Sequence, residues 1–278
     1  MLIMLVCGAL FLWGLAAGAS ASGRPFSAPD TDVVLTPGEV ARRFVWYAAI
    51  TLTAGVLAGI TIIGAGGRLA MRLLAVTAGD AAQGRITEAR EVVGDITLDG
   101  TIGFVLFNGI FGGVFAATLF LLVRRFLPAG PVGGVAFGLG LLLVFGATID
   151  PLRKQNPDFD IVGPGWVAVL VFTALAVGFG LTLQGLGARL STWLPQPSTE
   201  RRVLLRYAFP AALAAVAFSI TALLVIVCLV VVLLTRWPPV VNAVRSPRWI
   251  IGGQVLVTGL VLISLPNTLN NLVDIAGR

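Results

Sequence analysis

Residues 64–125 decide how this chain is read. They open with GAGG (64–67), pass through RLAMRLL (68–74) with two arginines a turn apart, and enter a carboxylate-rich loop, GRITEAREVVGDITLDG (84–100). An uninterrupted apolar run then follows, TIGFVLFNGIFGGVFAATLFLLV (101–123). At about 1.5 Å per helical residue such a run reaches roughly 34 Å, enough to cross a bilayer. GAGG reads as a helix exit, and the other apolar runs read as further spans packed around residues 101–123.

Composition assigns the solvent. Apolar residues make up 57% of the chain and charged residues 12%, a balance that a water-soluble domain of this size has no core large enough to hide. All charged residues fall between the apolar runs or at their ends, which argues against a proton relay within the membrane. The net charge of +6 comes almost wholly from arginine, with Lys154 the one lysine. In a chain of this class such charge flanks spans and meets anionic lipid headgroups, so nucleic acid is not the implied partner. The bias towards Arg, Ala and Gly points to a GC-rich bacterial genome, hence to a bacterial cytoplasmic membrane.

The expected architecture is an all-α, polytopic transmembrane helical bundle of six or seven spans with glycine-rich helix packing. Residues 1–21 read either as a signal peptide, because Ala19-Ser20-Ala21 resembles a cleavage site, or as a first span, because no basic residue precedes the apolar part. Residues 22–278 form one membrane domain with spans at about 37–65, 101–123, 131–149, 165–187, 207–235 and 249–265. Thr36-Pro37-Gly38-Glu39 reads as a capping box opening the first of these, with Trp46 and Tyr47 at headgroup depth. Spans 101–123 and 131–149 are joined by a short loop and form an antiparallel hairpin. Gly109 and Gly113, then Gly134 and Gly138, have the spacing that lets two helices approach closely, and Asn108 is placed to hydrogen-bond across such a contact. Pro266 and Asn267 end the last span, leaving a short disordered tail.

The charged loops hold the candidate sites. Arg68 and Arg72 read as helix-end arginines reaching the headgroup layer, or as an anion or lipid-phosphate site. Loop 76–100 and loop 150–165 emerge on one face whichever way the chain is oriented, because one hairpin separates them. They are expected to fold into a cap in which Asp95, Asp99, Asp150, Asp158 and Asp160 meet Arg153, Lys154 or the two arginines. Val92, Val93, Ile96, Leu98, Phe159 and Ile161 would hold that cap together, since exposed ion pairs contribute only about 0–1 kcal/mol. A divalent-cation site at Asp95 and Asp99 is the sharper alternative and needs help from another loop.

Most chemistries are removed by what the chain lacks. It has no histidine, which excludes Ser-His and Cys-His catalysis, histidine-ligated haem and HExxH zinc sites. It has no GxxxxGK[ST] loop and no pair of embedded carboxylates. Cys7 and Cys228 lie in apolar runs without metal-ligand spacing and read as small hydrophobes. No catalytic residue, cofactor-binding motif or metal site is indicated. The remaining readings are a structural, accessory or partner-binding membrane protein, a permease or channel lined by Asn108, Thr118, Thr173, Gln184, Ser219, Thr221 or Gln254, and a lipid-modifying enzyme using interfacial Asp and Arg.

Overall fold

The computed structural model describes residues 1–19, 37–216 and 246–278, together with positions 222, 225, 226, 229 and 230. The described residues are helical apart from their connections, and contain no β-strand beyond one isolated bridge, Ile86 to Val92. Five helices are long and apolar enough to cross a membrane. In chain order, α1 is Leu2–Ala19. α2 runs as an α-helix over Pro37–Ala58, widens to a π-helix over Gly59–Gly66, and returns to α over Gly67–Thr77. α3 starts at Leu98–Phe104, passes through a π segment at Val105–Phe111, and continues through Gly112–Val123 to a terminal 3-10 turn, Arg124–Phe126. α4 is the shorter helix Pro131–Gly146, α5 is Gly165–Trp193, α6 is Arg201–Val216 and α7 is Pro247–Ala276.

The centre of the bundle is α2, not the run at 101–123. Ile50, Ala58 and Ile62 are fully buried and share a core with Ala117 and Phe120 of α3, Phe137 of α4 and Leu183 of α5, while Val56 packs with Ile110 and Val114 of α3. α1 lies on the π segment of α2 and on α5. The physical reason is the density of small residues along α2. A Cβ placed on Gly55 would stand 2.7 Å from Ala117 Cβ and 2.8 Å from Gly113 O, and one on Gly109 would stand 3.1 Å from Gly59 O. Between lipid-exposed helices there is no hydrophobic drive to associate, so close backbone approach and dispersion must hold them. The π segments of α2 and α3 meet at this crossing.

GAGG is a second point of difference. Gly64 and Gly66 have helical surroundings within the π segment, and Gly67 has φ −62°. The helix does not stop there, because these glycines make room for neighbours. A Cβ on Gly66 would meet Leu175 Cδ2 at 2.7 Å, and one on Gly67 would meet Phe104 Cε1 at 2.8 Å. α2 therefore runs 40 residues from Gly38 to Thr77, about twice the length that crosses a bilayer core.

Gly134 and Gly138 pack α4 against α5 at Gly180 and Ala176, and Gly18 of α1 packs on Thr182 and Gly185 of α5. Asn108 does not join the glycine contact beside it. It is exposed on the outer side of α3, since Gly109 and Gly113 turn their own face to α2 and leave the amide pointing away. α3 and α4 run antiparallel, with Phe120 and Phe137 ring centroids 4.9 Å apart and Phe115 and Phe145 6.4 Å apart. Trp46 lies at the bundle end but is buried, its Nε1 donating to Leu194 O at 2.7 Å.

α7 departs most from the expected topology. Pro266 does not end it, and the tail is ordered helix to Ala276, with Asn271 and Ile275 buried. Asn271 Nδ2 donates to Ala147 O at 3.1 Å and Leu152 O at 3.2 Å, and Thr268 Oγ1 donates to Leu143 O at 2.7 Å. These bonds pull the C-terminal end of α7 to the face where loops 76–100 and 150–165 emerge. Gly253, near its start, packs on Phe126 at the opposite face. The helix thus runs opposite to the direction that alternation from the expected span 207–235 requires; that span lies largely outside the described residues, as do Cys228 and the capping residue Thr36.

Two measurements check this arrangement. Gly113→Leu, which overpacks the α2–α3 crossing, should lower thermal stability in detergent by an amount in or above the usual 1–3 kcal/mol range for overpacked sites. Gly140→Leu, where nothing lies within 4 Å, should leave it unchanged. In a background without Cys7 and Cys228, cysteines introduced at Ala81 and at Gly277 should react with an impermeant thiol reagent from the same side of sealed vesicles. Labelling from opposite sides would refute the direction of α7.

Candidate functional site

The end of the bundle that carries both acidic loops is a small folded cap. Loop 78–97 turns back on itself through the 3-10 turn Asp80–Ala82 and the Ile86 to Val92 bridge, with Arg90 at the tip in the left-handed region, φ 61°. Gln83 Nε2 donates to Ala75 O at 2.7 Å and anchors the loop to the end of α2. Loop 147–164 crosses beneath it through the 3-10 turn Pro157–Asp160, whose Asn156 side chain accepts from Asp158 N.

Apolar contact holds the two loops. Ala75, Ala82 and Val93 form one buried cluster with Ile161 and Val162 against it, and Leu74, Leu142, Leu152, Phe159, Val167, Ala168 and Ile275 form another. Val93 and Phe159 are buried in these clusters. Val92 faces outward, 43% exposed, because the bridge turns it and Val93 to opposite sides, and Leu98, 63% exposed, faces outward at the first turn of α3. Leu152 and Ile275, both fully buried, carried no signal in the sequence: the first sits among charged residues and the second in a tail with no apolar run.

Polar groups then tie the loops at specific points. Arg153 Nη2 donates to both carboxylate oxygens of Glu88 at 2.7 and 2.8 Å, and Glu88 N donates to Asp158 Oδ1 at 2.7 Å. The C-terminal turn joins them: Lys154 Nζ is 3.6 Å from Asp274 Oδ2, and Arg278 donates to Asp160 Oδ1 and to Lys154 O, each at 3.0 Å. Of the expected cap residues, Arg153, Lys154, Asp158 and Asp160 therefore meet partners, while Glu88, Asp274 and Arg278 supply contacts that the spacing did not indicate. Asp95 accepts from its neighbour Ile96 N, and Asp99 stands in the first turn of α3 beside the capping residue Thr97. Among the described residues no three acidic or cysteine side chains converge to hold a metal ion.

Arg68 and Arg72 both turn to the protein. Arg68 donates from Nε and Nη2 to Thr101 Oγ1 at 3.2 and 3.1 Å and lies over the Phe104 ring, and Arg72 Nη1 donates to Gly94 O at 3.2 Å. They brace the ends of α2, α3 and the first loop.

Asp150 is the one cap carboxyl pushed upward. Partial burial raises it, Arg153 opposes the shift, and Glu88 and Asp158 add to it. In the folded state it holds its proton to higher pH than in the unfolded chain. This contribution stabilises the fold below the ordinary carboxylate range and is lost as pH rises through the raised value.

The polar residues expected to line a pathway are placed as follows among the described residues. Thr118 Oγ1 donates to Val114 O and Thr173 Oγ1 to Val169 O, each within its own helix, and Gln254 is exposed on α7. The cavities between α2, α3, α5 and α6 are bordered by apolar side chains and by Thr51 or Thr53, not by those residues. Ser219 and Thr221 lie outside the described residues. No protein-family model, curated protein or solved structure matches the chain.

If apolar contact holds the cap, Leu152→Ala should cost about 2–5 kcal/mol, whereas Glu88→Gln should cost about 1 kcal/mol or less, since its partner Arg153 and Glu88 itself are 33% and 45% exposed. Asp150→Asn should gain on the native protein as pH rises above the ordinary carboxylate range, where the native carboxyl, holding its proton to higher pH than the unfolded chain does, gives it up. Thermal melts of the three variants in one detergent across that pH range make the comparison.

Proposed function

We propose that this chain is a membrane-embedded structural or accessory protein that binds another transmembrane helix, with six crossings supplied by α1 to α5 and α7. The observation that carries the reading is Asn108. It lies about 15 Å along α3 from Leu98, close to mid-bilayer, exposed, with no side-chain hydrogen bond among the described residues. Lipid tails cannot satisfy an amide, whereas a side chain or carbonyl on a neighbouring helix can. Phe107 beside it, 67% exposed, and Gly112 one turn on supply apolar area and room for that neighbour.

Several features support the rest of this reading. The Gly14 carbonyl of α1 accepts a hydrogen bond from Thr182 Oγ1 at 3.2 Å, and α1 buries Cys7, Gly14 and Ala17, as a permanent member of the bundle does and a leader peptide need not. An even number of crossings agrees with both chain ends lying at the cap. The opposite face carries Arg42, Arg43, Arg124, Arg125, Arg201, Arg202 and Arg206, while most of the described carboxylates belong to the cap. The positive-inside tendency therefore favours the arginine face as cytoplasmic in a bacterial inner membrane. The permease reading has less behind it, because Thr118 and Thr173 are satisfied within their own helices.

The test is a photo-crosslinking residue placed at Phe107 in intact membranes. A discrete protein adduct is expected, and its yield should fall roughly three- to thirtyfold in Asn108→Leu, from the ~0.6–2 kcal/mol typical of a polar contact between transmembrane helices. Adducts with lipid alone would overturn the proposal.

A further inference from the structure

The arginine-rich end of the bundle contains a site that neither acidic loop touches. There α2, the end of α5 and the start of α6 enclose a cavity of about 250 Å³. Its walls include Ile50, Leu57, Leu190 and Phe209, so water gains little by entering it. Two features break the apolar lining. Thr53 is 3% exposed, and its hydroxyl has no hydrogen-bond partner, unlike Thr61 and Thr118, which bond back to carbonyls of their own helices. The second is at the rim: Trp193 forms part of the wall, and Arg206 holds its guanidinium 5.4 Å from the Trp193 ring centroid, with Nη1 donating to Trp193 O at 2.7 Å.

The helical repeat of α6 links rim and cavity. Arg202, Arg206 and Pro210 follow at intervals of four, so two guanidinium groups stand in line above the cavity wall formed by Phe209 and Pro210. A dry slot beneath a cation, with an unused hydroxyl between apolar walls, is complementary to an amphiphile that carries an anion at one end, an oxygen acceptor below it and a hydrocarbon chain beyond.

We propose that this cavity binds one anionic phospholipid, its phosphate on Arg206, an ester carbonyl accepting from the Thr53 hydroxyl, and an acyl chain between α2, α5 and α6. The proposal rests on the membrane reading above and gives it a second half. The bidentate donor geometry of a guanidinium suits phosphate, and the aromatic ring beneath holds it in place. A bound lipid then ties the entry to α6 against α2, which α6 otherwise reaches through apolar contacts at Leu213 and Ala214.

The full-length protein, purified in a neutral detergent, is titrated with phosphatidylglycerol, phosphatidylcholine or inorganic phosphate while its melting temperature is followed. Phosphatidylglycerol should raise that temperature saturably, phosphatidylcholine should do so only at about tenfold higher concentration, and inorganic phosphate should have no effect. Arg206→Gln, a surface change, should erase the preference between the two lipids. Thr53→Val, which keeps the side-chain shape, should weaken both about equally. Equal responses to the two lipids in the native protein would overturn the site. So would a phosphatidylglycerol response that both variants leave intact, or an equal response to inorganic phosphate. Membrane fractionation of the same preparations separates the two claims: protein found in the aqueous fraction defeats the membrane reading, whereas membrane-bound protein without lipid selectivity defeats the site alone.

Discussion

The contact between Gly55 and Gly59 of α2 and Gly109 and Gly113 of α3 is the one on which the other packing depends. With no side chains between them the two backbones come within van der Waals reach, and each added carbon would meet a carbonyl or Cα of the other helix. Inside lipid this closeness replaces the hydrophobic effect as the source of association, because dispersion between backbones grows steeply as they approach. It also coincides with the π segments of both helices, where the wider turn displaces carbonyls from their usual register. Once α3 is seated on α2, the buried stripe of α2 from Trp46 to Ile62 is divided between α1, α3 and α5, and α4 is held to the bundle mainly through α5.

The two ends of the bundle are built on different principles. At the cap, loops of mixed charge fold over a small apolar core, and ion pairs set which residues face one another without supplying much of the stability. The C-terminal turn of α7 completes this end by burying Ile275 and Asn271 against both the α4 terminus and the second loop. At the opposite end arginines stand at helix termini with few carboxylates near them, over aromatic rings at Tyr47 and Trp193. One end is thus closed by pairing between its loops, whereas the other carries arginines stacked on aromatic rings.

These two ends bear on function in the same direction. The sequence lacks histidine and a GxxxxGK[ST] loop, and among the described residues no three acidic or cysteine side chains converge to hold a metal ion. The proposed contacts with another helix and with a lipid rest on two features of the fold: the exposed Asn108 amide on an apolar face, and the buried Thr53 hydroxyl in an apolar cavity whose rim carries Arg206 and Trp193.

Length, hydropathy and the absence of histidine were enough to establish a helical bundle with apolar helices of membrane-crossing length and to remove whole classes of chemistry, because those properties belong to segments taken singly. Glycine spacing likewise marked Gly109, Gly113, Gly134 and Gly138 as candidate contacts, since any helix with that spacing has one narrow face. Which helix each face would meet was not written locally. GAGG reads equally as an exit or as a place for Leu175 and Phe104 to approach, and only the neighbours decide between them. Asn108 and Gly109 are adjacent in sequence but about 100° apart around the axis, so one faces away while the other is buried. The direction of α7 depends on bonds from Thr268 and Asn271 to carbonyls more than a hundred residues earlier, and Pro266 lies within the helix rather than ending it. Local composition determined what each segment is; contacts distant in sequence decided where each segment goes.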